Sequence, residues 1–130
     1  MPRWRAVSSI CWARAIAAFG RQDYAATIDL LTPVRPRAHL FGGSHAQRDL
    51  LHVTLLEAAL RAGRNTLARA LAAERTELKR TSPFNWRVTA RALKAQGLDD
   101  EARQAIANAD MKAAVQRAQA LSPPRELAVG

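Results

Sequence analysis

The sequence has little of what β-folds, disulfide scaffolds and membrane spans require. It holds one cysteine, Cys11, so it can form no intrachain disulfide and no cysteine-rich zinc site. Aromatic residues make up only 5% of the chain, and β-branched residues are scattered, which disfavours a β-sandwich or barrel. The longest apolar runs fall far short of the ~20 residues of a membrane span, and no signal-type cleavage pattern follows the basic start. These absences predict a cytoplasmic protein without a membrane partner, in which Cys11 is a buried structural thiol.

What the sequence does contain favours packed helices. Of 130 residues, 48% are apolar, which argues against disorder, and 28 are alanine. Alanine, leucine, arginine, glutamine and glutamate are all good helix formers. The net charge is +9, carried by 17 arginines and 3 lysines. Composition therefore predicts an all-α protein and names no chemical activity or cofactor.

Glycine, proline and capping residues divide the chain into helical pairs. We predict one domain over residues 1–124 and a flexible tail over 125–130, with pairs at about 6–32, 44–80 and 82–121 and an insertion loop at 33–43. Asp23 and Ser82 are expected to cap the helices that follow them, with Pro83 at a first helical position. We expect the helix from about 45 to 62 to be the most buried one, because it is apolar on more than one face. A final helix, capped by Asp99, would reach Leu121 or break near 108–110.

The turn glycines recur at a regular interval. Gly63 and Gly97 are 34 residues apart. Gly20 precedes Gly63 by 43 residues, which is the same period with nine residues inserted. A fixed period of this size is typical of stacked helical repeats.

The third pair resembles the tetratricopeptide repeat. Trp stands at its fourth position, a small residue at the eighth, Gly at the fifteenth and Ala at the twentieth: Trp86, Ala90, Gly97 and Ala102. The second pair repeats Gly63 and Ala68 in the same frame. The resemblance implies a short right-handed array of five to seven helices, in which small residues lie where two helices approach closely.

A longer motif gives a more specific resemblance. It consists of Gly42, Gly43, Ser44, His45, Ala46, Gln47, Arg48 and Asp49. With Leu55-Leu56 and Ala58-Ala59 behind it, this motif is similar to the C-terminal part of the tetratricopeptide-repeat-protein-thirty-eight-like family, over about Tyr24 to Gly97. Those relatives carry further repeats upstream, so the chain would be a fragment or a shortened homologue. The resemblance implies a helical scaffold and brings no enzymatic activity.

The same motif contains the residue types of a catalytic triad and of a metal site. Ser44, His45 and Asp49 are the types of a hydrolase triad, but adjacent Ser and His cannot easily face each other at a helix start. Ser44 with Gln47 is explained as a capping box, and Gly42, Gly43, Arg48 and Asp49 as loop anchors. His45, Asp49 and His52 share a helical face, yet they lack the frame of a zinc motif. We therefore predict a protein that is not an enzyme and binds no metal.

Arg87, Arg91 and Lys94 share one helical face, at spacings of four and three residues. In the tetratricopeptide frame these positions line the concave groove. A basic groove would bind a protein or an acidic peptide through charge-assisted hydrogen bonds, although a solvated helix face explains the same pattern. Nucleic acid is the alternative partner for a charge of +9, but no basic patch with interleaved aromatics is present.

The first helix carries an apolar face made of Trp12, Ile16 and Phe19. Repeat arrays need polar ends, so an uncovered apolar face predicts self-association as a homo-oligomer. The alternative is that the N-terminal segment or the insertion loop covers this face. Taken together, the sequence predicts a non-catalytic protein–protein interaction scaffold or adaptor, with a basic nucleic-acid-binding helical domain as the alternative.

Overall fold

The regular secondary structure in the described part of the chain is helical throughout. In the computed structural model, residues 3–36 and 45–122 are described, with side chains from residue 10 onward in the first range and from 48 in the second. No strand occurs among these residues, which confirms the all-α prediction. The six helices are α1 (Arg3–Gly20), α2 (Tyr24–Leu31), α3 (His45–Arg61), α4 (Asn65–Leu78), α5 (Pro83–Ala95) and α6 (Asp99–Leu121). Most of the predicted insertion loop, residues 37–43, and the predicted tail lie outside the described ranges.

Local capping signals set several of these boundaries. The Asp23 carboxylate accepts a hydrogen bond from the Ala26 backbone N–H at 3.2 Å, which caps α2 as predicted. The Ser82 hydroxyl accepts from the Asn85 N–H at 3.4 Å, and Pro83 fills the first helical position of α5. The capping box predicted at Ser44 lies outside the described residues.

The start of α6 differs from the prediction, and its length settles an open alternative. Asp99 is the first helical residue and not the cap, because Leu98 occupies the N-cap position without a side-chain hydrogen bond. Asp99, Asp100 and Glu101 instead place three carboxylates in the first turn, where the helix dipole favours negative charge. The helix continues unbroken through 108–110 to Leu121.

The chain divides into two compact units, Met1–Leu71 and Ala72–Gly130, and the division falls inside α4. In the first unit, α2 packs against both α1 and α3. Its core is built from small residues of α1 and larger ones of α2 and α3: Ala15, Ala18, Ile28, Leu31, Leu51, Leu55 and Leu56. In the second unit, α5 packs along α6 around Ala90, Leu93, Ala102 and Ala105. The single domain predicted over 1–124 stays a prediction.

Three inter-helix turns share one hydrogen-bond pattern. Backbone N–H groups donate five residues back, from Asp23 to Ala18, from Arg64 to Ala59 and from Leu98 to Leu93, at 2.9, 2.9 and 3.0 Å. The residue before each donor has a positive φ: Gln22 at 63°, Gly63 at 74° and Gly97 at 78°. This is the left-handed C-terminal motif that ends many helices.

The shared pattern corrects the predicted register of the first pair. Gly20 is the last residue of α1, and the left-handed position belongs to Gln22. Gln22 precedes Gly63 by 41 residues, so the first interval exceeds the 34-residue period by seven residues and not nine. A sequence search for glycine misses this turn because glutamine carries no signal for a positive φ.

Candidate functional site

The candidate site is the exposed face of α5, which we call the basic face: Arg87, Arg91 and Lys94. All three side chains are exposed. The opposite side of the helix is buried and consists of Asn85, Val88, Ala90, Ala92 and Leu93. The structure therefore brings the three predicted basic residues together on the solvent side of one helix. Neither Arg87 nor Lys94 forms an ion pair with any residue that the structure describes.

Phe84 extends the basic face toward the start of α5. Its side chain is 45% exposed and lies in the first turn of the helix. The Arg75 guanidinium carbon lies 5.4 Å from the centre of the Phe84 ring, which is a cation–π distance. The exposed aromatic ring gives this end of the helix an apolar contact surface.

Buried polar contacts hold α5 in place behind the basic face. The Asn85 side chain is 3% exposed; its Nδ2 donates to the carbonyl oxygens of Arg75 at 2.9 Å and Lys79 at 3.2 Å. Its Oδ1 accepts from Arg75 Nε at 3.0 Å. Asn85 thus adds a side-chain donor to two carbonyls at the end of α4, which also accept the backbone N–H groups of Lys79 at 3.0 Å and Ser82 at 3.3 Å.

Two further contacts complete this α4–α5 corner. The Trp86 indole N–H donates to the Arg80 carbonyl at 2.7 Å. The hydroxyls of Thr76 and Thr89 are 2.9 Å apart and share a hydrogen bond. These contacts fix the rotation of α5 about its axis, and so they determine which side chains form the basic face. Sequence analysis used Trp86 only as a repeat marker and missed Asn85, whose one signal is a polar residue on an otherwise apolar side.

The apolar face predicted on α1 is partly covered in the structure. Ile16 is 43% exposed, while Trp12 and Phe19 are half-buried. The Phe19 ring packs edge-on against Tyr24 with centroids 5.4 Å apart. The Arg61 guanidinium carbon lies 5.4 Å from the Phe19 centroid and 5.5 Å from that of Tyr24. Phe19 is therefore engaged within its own unit, and Ile16 is the exposed member of this face.

Arg61 joins the ends of α1 and α3 to the start of α2. It donates to the Tyr24 hydroxyl at 3.0 Å and to the Glu57 carboxylate at 2.9 Å. The Tyr24 hydrogen bond and then the Glu57 hydrogen bond raise the pKa of Arg61, so the guanidinium stays charged at any working pH. Sequence analysis missed this cluster because Arg61 and Tyr24 are 37 residues apart.

The turn register relates the α1 face to the basic face. Counting from Gln22 and Gly97, the positions of Trp12, Ile16 and Phe19 correspond to those of Arg87, Arg91 and Lys94. In α3 the corresponding residues are Val53, Glu57 and Leu60. The apolar face of α1 was predicted for self-association and the basic face of α5 for partner binding. Counted from the turn that follows each helix, the two faces thus occupy the same positions.

The motif around Ser44 falls mostly outside the described residues. This applies to Gly42, Gly43 and Ser44 altogether, and to the side chains of His45 and Gln47. Arg48 is half-buried and Asp49 exposed in the first turns of α3, and both side chains have interaction partners. Among the side chains that the structure describes, no group of three His, Cys, Asp or Glu residues is placed to hold a metal ion. Cys11 is half-buried.

No protein-family model matches the chain, and no solved structure shows significant similarity to it. Within residues 3–36 and 45–122, each helix is too short or too polar to span a bilayer.

Proposed function

We propose that the chain is a tetratricopeptide-like helical array that acts as a non-catalytic protein–protein interaction scaffold or adaptor, related to the tetratricopeptide-repeat-protein-thirty-eight-like family. The turn repeated at Gln22, Gly63 and Gly97 supports this proposal. Five residues after each of these lies a small buried side chain: Thr27, Ala68 and Ala102, each no more than 4% exposed. Each of the three donates its backbone N–H four residues back, to Asp23, Arg64 and Leu98, so the second helices also start alike.

The basic face is the proposed partner-binding site, and its ligand is an acidic segment of another protein. The observation that carries this proposal is the exposure of Arg87, Arg91 and Lys94 on one side of α5. Guanidinium groups bind carboxylates in paired, charge-assisted hydrogen bonds, which are about twice as strong as neutral ones. Phe84 adds an apolar contact for a side chain next to the acidic residues. An acidic peptide with one aliphatic or aromatic residue therefore fits this surface.

A peptide-binding experiment tests the basic face. The probe is a fluorescein-labelled peptide of about ten residues, rich in glutamate, with one leucine and a free carboxyl terminus. Anisotropy at 150 mM salt measures its Kd for the full chain. We expect Arg87→Glu with Arg91→Glu to raise Kd about tenfold or more, because two favourable pairs become repulsive.

The matched control makes the same change in net charge at two other positions. Arg21→Glu with Arg64→Glu alters two exposed arginines in inter-helix turns and gives the same net charge, +5 in place of +9. We expect this variant to change Kd by no more than about threefold, which is the effect of net charge alone at this salt concentration. Equal losses in the two variants would show that the peptide responds only to net charge, and the proposed site would be wrong.

A further inference from the structure

The exposed side of α5 carries cations and no acidic residue. Of the 13 residues of Pro83–Ala95, those that are exposed are Phe84, Arg87, Arg91, Lys94 and Ala95. None of the 13 is acidic, so no ion pair within α5 can neutralise the basic face. The basic face is therefore complementary in charge to an acidic surface of a partner.

Four of the exposed side chains follow one another at the spacing of a helix–helix contact. Phe84, Arg87, Arg91 and Lys94 are separated by three, four and three residues, and so they form one stripe about 15 Å long. Along the helix axis the three intervals are about 4.5, 6 and 4.5 Å. A second helix reproduces these intervals when its own contact residues recur at three, four and three residues.

An extended chain fits the same stripe poorly. Side chains on one side of an extended chain recur about every 6.6 Å, because successive residues point to opposite sides. Three such intervals span about 20 Å, so the last contact falls about 5 Å beyond Lys94 when the first is placed at Phe84. The spacing of the stripe therefore favours a helical partner over an extended one.

The order of residues along the stripe favours one direction for such a helix. Phe84, the apolar member, lies in the first turn of α5, and Lys94 lies in the last turn. Carboxylates are favoured in the first turns of a helix, where the helix dipole is positive. A helix with acidic first turns brings them to Lys94 and Arg91 when it runs antiparallel to α5. A parallel helix would need its carboxylates in its last turns, where the dipole opposes them.

We propose that the basic face binds an acidic α-helix of another protein, which runs antiparallel to α5. This inference rests on the proposed function of the basic face and adds the conformation and direction of the ligand. Read from its amino terminus, the ligand carries three carboxylates at spacings of three and then four residues, and an aliphatic or aromatic residue three positions later. The carboxylates face Lys94, Arg91 and Arg87 in that order, and the apolar residue packs against Phe84.

Two fluorescein-labelled peptides of identical composition test the conformation. Both have about 16 residues, with three glutamates and one leucine in a background of alanine and glutamine. The helical-pattern peptide has these four residues at spacings of three, four and three, and the alternating peptide has them at every second position. Anisotropy with the full chain at 150 mM salt measures both Kd values. We expect the helical-pattern peptide to have a Kd about tenfold lower, because only its contact residues share one side of a helix.

Reciprocal charge exchange tests the direction. Lys94→Glu should raise the Kd of the helical-pattern peptide about fivefold or more, because a carboxylate then faces the first glutamate. Replacing the first glutamate of the peptide by lysine should return Kd for this variant to within about twofold of the parent value. Replacing the third glutamate should not, because that residue faces Arg87. The control Arg64→Glu makes the same change in net charge at an exposed turn residue and should change Kd by about twofold at most.

Different results would overturn the inference and the proposed function. Equal Kd values for the two peptides, or a lower one for the alternating peptide, would show that the ligand is not helical. The basic face would remain the binding site if Arg87→Glu with Arg91→Glu still raised both values. Recovery of Lys94→Glu by lysine at the third glutamate would show a parallel helix. If Arg87→Glu with Arg91→Glu changed neither Kd, the proposed function itself would be wrong.

Discussion

Single residues at three inter-helix turns share a backbone conformation that composition does not show. Gly63 and Gly97 have positive φ angles, and a Cβ added at either would meet no atom within 4 Å. Glycine is therefore favoured there by backbone conformation and not by lack of space. Gln22 adopts the same conformation with a full side chain, at φ 63°. The first turn accordingly stores backbone strain that the other two avoid.

The effect of a substitution at these turns on the free energy of unfolding should depend on the φ angle of the position and not on the residue type found there. We expect Gly97→Ala to lower the free energy of unfolding by about 1–2 kcal/mol, because alanine disfavours the left-handed region. Gln22→Gly should raise it by up to about 1 kcal/mol by relieving the strain at that position. Guanidinium chloride titration followed by circular dichroism measures both changes.

Gly20→Ala is the matched control for the turn register. Gly20 is helical and has open space around its Cβ position, so alanine should raise the free energy of unfolding by about 0.5–1 kcal/mol. If Gly20→Ala destabilised the chain while Gln22→Gly had no effect, the left-handed residue of the first turn would be Gly20. The 43-residue interval would then be the correct one.

At the scale of helices, the α4–α5 corner determines how the basic face is presented. Asn85 donates to two carbonyls at the end of α4 and accepts from Arg75. Trp86 donates to a third carbonyl, that of Arg80. An intramolecular hydrogen bond contributes about 1 kcal/mol net, so the four hydrogen bonds of these two side chains stabilise the junction.

We expect Asn85→Ala to lower the free energy of unfolding by about 2 kcal/mol, because it removes three side-chain hydrogen bonds at the α4–α5 corner. Denaturant titration measures the loss. Asn108→Ala is the control: Asn108 is half-buried on α6 and makes no side-chain hydrogen bond within the described residues. It should be neutral or slightly stabilising, because alanine is the better helix former. Equal effects of the two substitutions would show that the corner network contributes nothing.

The same helices show which parts of the fold the sequence could predict. The bounds of α2 and the caps at Asp23 and Ser82 were predictable because they depend on neighbours within four residues. The Arg61–Tyr24 contact joins residues 37 apart, and no local pattern specifies such a pair. The three members of the basic face could be grouped from their spacing alone. The role of Asn85 and Trp86 in orienting this face could not be predicted, since that role depends on where α4 ends.

At the scale of the whole molecule, the net charge of +9 is distributed along the chain. Residues 1–71 hold ten basic and four acidic side chains, and residues 72–130 hold ten and seven. A charge so distributed attracts any polyanion over long range and is screened within about 8 Å at physiological salt. Affinity for nucleic acid at low salt is therefore expected from charge alone and is no evidence of a dedicated site.

We predict that two unrelated 20-base-pair DNA duplexes bind with Kd values within about twofold of each other, and that affinity falls at least tenfold between 50 and 150 mM salt. Anisotropy titration measures both the Kd values and their dependence on salt.

The two variants of net charge +5 separate this effect of charge on DNA binding from the binding of the acidic peptide. Arg87→Glu with Arg91→Glu and Arg21→Glu with Arg64→Glu should weaken DNA binding to a similar extent, whereas only the first pair should weaken binding of the acidic peptide. Sequence-selective binding retained at 150 mM salt would contradict the scaffold proposal and favour a nucleic-acid-binding domain, because charge alone gives neither property.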